Sequence, residues 1–133
     1  MIHRELYIGR WRVLFLFCPD GYDEGEILDI LYDLDASDYI LVKASKKIRA
    51  GRPNEGFTFA NSRLGEALVV IGPTTSGAEF QDTLVHEVHH LAVAIAESLG
   101  VDLESETPAY ISGDSAKALS DVVCWLGCER CRG

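Results

Sequence analysis

Apolar positions in the first fifty residues predict one strand followed by two helices. Residues 6–18 are rich in Trp, Val, Leu and Phe and predict a β-strand with a bend at Gly9. Residues 23–34 begin with acidic side chains and continue with apolar ones at helical spacing, which predicts a first helix. Residues 37–48 predict a second helix, for which Ser37 is a typical N-cap residue.

The pattern then changes to two short strands and two further helices. Residues 56–60 and 66–72 predict strands joined by a turn at residues 61–65. Helices are predicted over residues 76–100 and from near Glu106 to about Leu126. The order β-α-α-β-β-α-α predicts an α+β fold with a mainly antiparallel three-stranded sheet, and with helices on one side of the sheet carrying the site. A chain of 133 residues fits a single domain, residues 1–133.

The helix predicted over residues 76–100 is the most regular element of the pattern. Ser76 is its predicted N-cap, Glu79 lies three residues later as in a capping box, and Gly100 is the predicted left-handed stop. Because the helix is apolar on nearly all sides, we expect it in the middle of the domain. Its apolar stripes are Phe80, Leu84, Leu91 and Ile95 on one side, and Val85, Val88, Ala92, Ala96 and Leu99 on the other.

This helix carries the sequence His86-Glu87-Val88-His89-His90, an H-E-x-x-H pattern. Residues four apart share a helix face, so His86 and His90 can place two imidazole nitrogens on one metal ion. Glu87 would stand beside that ion as the general base for a metal-bound water. One Zn²⁺ ion is the predicted cofactor, although two histidines and a carboxylate also suit iron(II). The alternative is a group of core or groove histidines hydrogen-bonded to nearby backbone.

A catalytic zinc site needs a third protein ligand. The last helix begins soon after the metal helix ends, so its start is expected to face the C-terminal half of that helix. Glu106 is the best candidate for the third ligand and Glu104 is its rival, since a helix N-terminus favours a carboxylate.

The two motifs together resemble the gluzincin branch of zinc metallopeptidases. The pattern His86-Glu87-x-x-His90 followed by Glu106-Thr107-Pro108-Ala109-Tyr110 is most similar to compact zincin-like proteins coded by phages and mobile elements. The similarity covers roughly residues 76–119. It implies a zincin-like fold with His86, His90 and Glu106 as zinc ligands and Glu87 as catalytic base. In the larger thermolysin-type pattern an Asp follows the ligand Glu by one helical turn, whereas here that position is Tyr110, and Asp114 lies one turn further on.

The predicted chemistry is hydrolysis of a carbonyl compound by a metal-activated water. Glu87 would take the proton of the attacking water and return it to the leaving amine. The oxyanion needs a donor besides the metal, for which Tyr110 is the first candidate and His89 the second. Tyr110 could equally support a metal ligand, and His89 could line the groove or compete as a ligand.

Composition and charge narrow the choice of partners. The net charge is −9 and the pI is near 4.8, which argues against tight sequence-independent binding of nucleic acid. The apolar runs are too short to cross a membrane, and the first residues lack the pattern of a signal peptide. We therefore expect a cytoplasmic protein whose partner is a peptide or protein substrate.

Three cysteines, Cys124, Cys128 and Cys131, form a C-x3-C-x2-C series at the C-terminus. A structural zinc there would need a fourth ligand, with Cys18 or His3 as candidates. The simpler interpretation is a partly ordered tail over residues 124–133 in which Cys124 packs as a small apolar residue.

Three functional hypotheses follow from these patterns. The first is a small zinc-dependent hydrolase, most simply a metallopeptidase. The second is a non-catalytic zincin-like module that binds zinc and holds a protein partner in the same cleft. The third is a structural zinc domain. Three ligands with an adjacent Glu suit an open catalytic site better than a closed structural one.

Overall fold

Four strands form one mixed sheet in the computed structural model, which describes residues 1–127. The spatial order of the strands is β1-β2-β4-β3. The strands are β1 (Ile2–Ile8), β2 (Trp11–Phe17), β3 (Gly56–Asn61) and β4 (Glu66–Ile71). The helices are α1 (Glu24–Asp33), which follows a short 3-10 turn, α2 (Asp38–Ala50), α3 (Gly77–Ser98), α4 (Thr107–Ala118) and α5 (Ser120–Gly127).

The predicted α+β class is confirmed, but the predicted three-stranded, mainly antiparallel sheet is wrong. The single strand expected over residues 6–18 is a hairpin, because Gly9 adopts a left-handed backbone (φ +59°) and turns the chain between β1 and β2. β2 pairs antiparallel with β1 and parallel with β4, and β3 pairs antiparallel with β4. The parallel pair brings together strands that are separated by α1, α2 and β3.

Helices cover both faces of the sheet, and each face has its own apolar cluster. α1 and α2 pack over one face around Ile27, Leu31 and Leu68, while α3, α4 and α5 pack over the other. β2 and β4 contribute to both clusters. Because these central strands are buried on both sides, they show nearly continuous apolar runs rather than alternation.

The helix predictions are largely confirmed at their beginnings. Ser37 and Ser76 each accept a hydrogen bond at a helix start, from Ile40 N (3.3 Å) and Glu79 N (3.1 Å). The helix predicted from Glu106 to about Leu126 is two helices, which meet at the fully buried Leu119. No Gly or Pro marks this break, so the sequence carried no signal for it.

Candidate metal and catalytic site

His86 and His90 lie one turn apart on the exposed flank of α3. The opposite face of the helix is buried against the sheet, which fixes the direction in which the two imidazoles project. Their Nε2 atoms are 3.2 Å apart, and the two rings are nearly perpendicular. The predicted juxtaposition of these two nitrogens is therefore present in the structure.

The spacing of the two nitrogens fits two positions of a zinc coordination shell. With Zn–N distances of about 2.0–2.1 Å and a tetrahedral angle, two ligand nitrogens lie about 3.3 Å apart. The same separation also allows an N–H···N hydrogen bond when one ring is the donor tautomer. Such a bond would join two exposed side chains, so water competes with it directly.

Glu87 faces the sheet and is buried, with 5% of its surface exposed. The hydroxyl of Thr58 on β3 lies 3.0 Å from Glu87 Oε1 and 3.2 Å from the Glu87 carbonyl oxygen, so it donates to one or shares its proton between them. Oε2 accepts no hydrogen bond within residues 1–127, where every fully buried side-chain polar atom has a partner. Oε2 is therefore accessible to solvent.

Gly56 at the start of β3 makes room for the Glu87 side chain. A Cβ at this position would lie 2.5 Å from the carbonyl oxygen of Val70 and 3.0 Å from Glu87 Cγ. Such distances require the backbone or the carboxylate to move. A residue without a side chain thus allows β3 to approach α3 beside the H-E-x-x-H motif.

The two histidines and Glu87 line a cleft of about 440 Å³ at the edge of the sheet. Its walls come from α2, β3 and α3, so a helix from each face of the sheet borders it. A smaller depression of about 320 Å³ is also lined by His86 and Glu87, together with Asp82 and Glu55. α2 lies on the opposite face from α3 and borders the cleft, whereas the predicted site residues His86, Glu87 and His90 all lie on α3.

β3 is an edge strand and forms the side of this cleft. Gly72 N donates to Glu55 O, which places Phe57 and Phe59 in the hydrogen-bonded pairs of the β3–β4 ladder. The backbone N–H and C=O groups of the alternate residues, Gly56, Thr58 and Ala60, consequently point away from β4.

Glu106 and Tyr110 lie on the other flank of α3. α4 packs against α3 and against β1, which is the edge of the sheet opposite to β3. Glu106 is the exposed N-cap residue of α4, and Tyr110 is 66% exposed. Glu104 is exposed in the preceding loop. Within residues 1–127 no three His, Cys, Asp or Glu side chains are arranged to hold a metal ion, so the structure brings together the histidine pair without a third ligand.

The remaining candidates are also outside the cleft. His89 is exposed, with its ring centroid 6.2 Å from that of His90. Asp114 lines a separate depression beside β1 with Arg4 and Tyr7. Neither His89 nor Asp114 lines the 440 Å³ cleft.

The cysteine series is described only in part. Cys124 lies in α5 and is exposed, so the expectation that it packs as an apolar residue is wrong. Cys128 and Cys131 lie outside the described residues. Cys18 is exposed just after β2. The Nε2 atom of His3 lies 3.7 Å from Oε1 of Glu26. Of the tail predicted over residues 124–133, residues 124–127 belong to α5 and the others lie outside the described residues.

Sequence reasoning missed the residues that other elements bring to the motif. Thr58, Gly56 and Lys47 contact the site or its rim through tertiary packing, about 30 to 40 residues before the motif in the chain. The one local signal was Thr58, a polar residue between two aromatic residues of a predicted strand.

Comparisons with known proteins leave the family open. No family model matches this sequence, and no curated protein or solved structure matches it significantly. None of the helices within residues 1–127 combines the length and apolar character needed to cross a membrane.

Proposed function

We propose that this protein is a zinc-dependent hydrolase that cleaves a peptide bond. The observation that carries the proposal is the 3.2 Å separation of His86 Nε2 and His90 Nε2 beside the buried Glu87, at the wall of an open cleft. His86 and His90 would hold the ion. Glu106 stays our predicted third ligand because of the gluzincin-like sequence pattern, and its contribution is tested separately below.

Zinc, when bound, supplies Lewis acidity that polarises a carbonyl group and lowers the pKa of a water molecule. Glu87 would act as general base, and two features support this role: the Thr58 hydroxyl lies 3.0 Å from Oε1, and Oε2 reaches solvent. Its carboxylate would accept the proton of the attacking water and then return it to the leaving amine. The Thr58 hydroxyl, which is within hydrogen-bond distance of Oε1 and of the Glu87 carbonyl oxygen, would help to position this carboxylate.

The edge strand offers a place for an extended peptide. The outward backbone groups of Thr58 and Ala60 can pair with a substrate strand, as in β-strand addition generally. A chain bound this way would run along the cleft that His86 and His90 line. Tyr110 and His89 remain candidates for stabilising the oxyanion, although neither lines the cleft.

Metal content tests the site directly. We expect about one zinc per chain in the purified protein and a large loss in His90→Ala. His89→Ala is the matched control, because it removes the same side chain from the same helix outside the cleft. Equal zinc loss in both variants would contradict the assignment of His90. Zinc that survives His90→Ala would indicate binding elsewhere, for example at the C-terminal cysteines.

Glu106→Ala and Glu104→Ala separate the two candidates for the third ligand. We expect Glu106→Ala to lower zinc affinity and Glu104→Ala to leave it unchanged. The reverse pattern would assign the ligand to Glu104. No effect from either variant would remove α4 and its preceding loop from the metal site.

The Glu87→Gln variant distinguishes an enzyme from a binding module. It should retain zinc and lose cleavage of a peptide library by at least about 100-fold, because general-base catalysis contributes about that much or more. A wild-type protein that binds zinc and the library without cleaving it would favour the non-catalytic module. One observation favours the non-catalytic module as a second candidate: within residues 1–127 no third ligand lies beside the histidine pair.

A further inference from the structure

Lys47 is a half-buried cation at the rim of the cleft. Its Nζ donates a hydrogen bond of 2.6 Å to the carbonyl oxygen of Gly56, at the start of the edge strand. The side chain lines both the 440 Å³ cleft and the smaller depression beside it, as His86 and Glu87 do. Lys47 therefore borders the same space as the proposed reacting groups.

No carboxylate within residues 1–127 neutralises this ammonium group. Arg4, Arg12, Arg49 and Arg63 each form an ion pair with a carboxylate, whereas no described Asp or Glu oxygen lies within 4.0 Å of Lys47 Nζ. Glu55 and Asp82 line the same depression at longer range. Because partly desolvated charges are normally paired, an unpaired half-buried ammonium in a chain of net charge −9 needs a reason.

Lysine side chains outnumber carboxylates in the described lining of the 440 Å³ cleft. Lys43 also lines it, with Nζ 5.9 Å from the centre of the Tyr39 ring. Among residues 1–127, Glu87 is the one carboxylate in its lining, and one of its oxygens lies 3.0 Å from the Thr58 hydroxyl. Lys47 uses one of its three donors on Gly56, which leaves two for a ligand.

We propose that Lys47 binds a carboxylate of the peptide substrate and thereby selects acidic peptides. This inference rests on the proposed peptidase function. The bond to Gly56 fixes the ammonium group at the beginning of β3. A peptide paired along β3 would therefore bring one defined position of its chain next to Lys47. The carboxylate can come from an Asp or Glu side chain or from the C-terminus of the peptide.

Binding to the zinc-loaded Glu87→Gln chain tests this without depending on cleavage. One pair of N-acetylated, C-amidated peptide libraries differs only by Glu or Gln at one position, and a second pair differs only by a free or amidated C-terminus. We expect one acidic library to bind about five- to tenfold more tightly than its neutral partner, as a charge-assisted hydrogen bond provides. The pair that shows the difference identifies the source of the carboxylate.

Three variants assign the preference to the charge of Lys47. Lys47→Met should abolish it, and Lys47→Gln, which keeps a polar N–H donor but no charge, should abolish it as well. Lys46→Met is the matched control, because it removes the same charge from an exposed position of α2 outside the cleft. Thermal unfolding of each variant checks that β3 remains in place.

Each outcome bears on the inference separately from the proposed function. Equal binding of acidic and neutral libraries to the chain with Lys47 intact would overturn the role of Lys47 and leave the peptidase proposal standing. A preference that survives Lys47→Gln would overturn it too. Failure of every library to bind would overturn both the role of Lys47 and the peptide substrate, while zinc analysis of the same sample reports on the metal site.

Discussion

At the scale of single residues, the candidate site depends on residues without bulky side chains as much as on His86, Glu87 and His90. Gly56 is the clearest example, since the Val70 carbonyl oxygen and Glu87 Cγ occupy the positions around its missing Cβ. The carboxylate can be buried beside β3 because no side chain stands between them. A carboxylate held in this way keeps a fixed orientation toward the cleft, which the proposed role as general base requires.

Gly56→Ala should therefore destabilise the protein by about 1–3 kcal/mol, the usual range for forcing extra volume into a packed region. Gly113→Ala on α4 is the control, because a Cβ there meets no atom within 4 Å and glycine is a poor helix former. It should stabilise the protein by about 0.5–1 kcal/mol. Urea unfolding measures both. Equal effects of the two substitutions would show that β3 does not approach α3 as closely as described.

At the scale of elements, local signals were sufficient for α3 and insufficient for the sheet. The periodic apolar residues, Ser76 and the H-E-x-x-H spacing all lie within one helix, so its position and the His86–His90 contact could be predicted. The hairpin at Gly9 was missed because apolar residues flank the two-residue turn closely on both sides, so the two strands resemble one strand with a bend. The parallel pairing of β2 with β4 depends on strand order, which no local pattern encodes.

The contribution of the Ser76 N-cap to stability can be tested by replacing a serine with alanine at each end of α3. Ser76→Ala removes the acceptor for Glu79 N and should lower the free energy of unfolding by about 1 kcal/mol. Ser98→Ala removes a hydrogen bond that the Ser98 hydroxyl donates to Ile95 O within the helix. This bond does not pair any of the free N–H groups at the start of the helix. The expected change there is within about 0.5 kcal/mol. A larger loss from Ser98→Ala would contradict the role given to Ser76.

At the scale of the whole molecule, groups that the sequence predicted to be together lie on the two flanks of α3, toward opposite edges of the sheet. The β3 edge carries the cleft with His86 and Glu87, and the β1 edge carries α4 with Glu106. A ligand set drawn from two elements depends on this global arrangement, so sequence could propose Glu106 but could not place it. The same arrangement brings Lys47 to the cleft from 39 residues before His86 in the chain.

The two ends of the described chain are joined by an ion pair across the β1 edge. Arg4 Nη2 on β1 lies 2.8 Å from Asp121 Oδ2 on α5, and Nε of the same arginine lies 3.2 Å from it. The hydrogen bond from Arg4, together with one from the Val122 backbone, lowers the pKa of Asp121 below its ordinary value. A carboxyl group with a lowered folded-state pKa stabilises the fold above its unfolded-state pKa of about 3.9, and this stabilisation disappears as the pH falls through the folded-state pKa.

Arg4→Met should therefore destabilise the protein near neutral pH and raise the pKa of Asp121 toward its ordinary value. Arg10→Met is the control, because Arg10 forms no ion pair within residues 1–127 although it carries the same charge. Urea unfolding near neutral pH and again in acid below the folded-state pKa of Asp121, where this carboxyl group is protonated in both states, gives the comparison. The extra loss in Arg4→Met relative to Arg10→Met should vanish in acid, since the pair no longer exists there. A difference that persists unchanged at low pH would mean that Arg4 acts through the packing of its aliphatic stem.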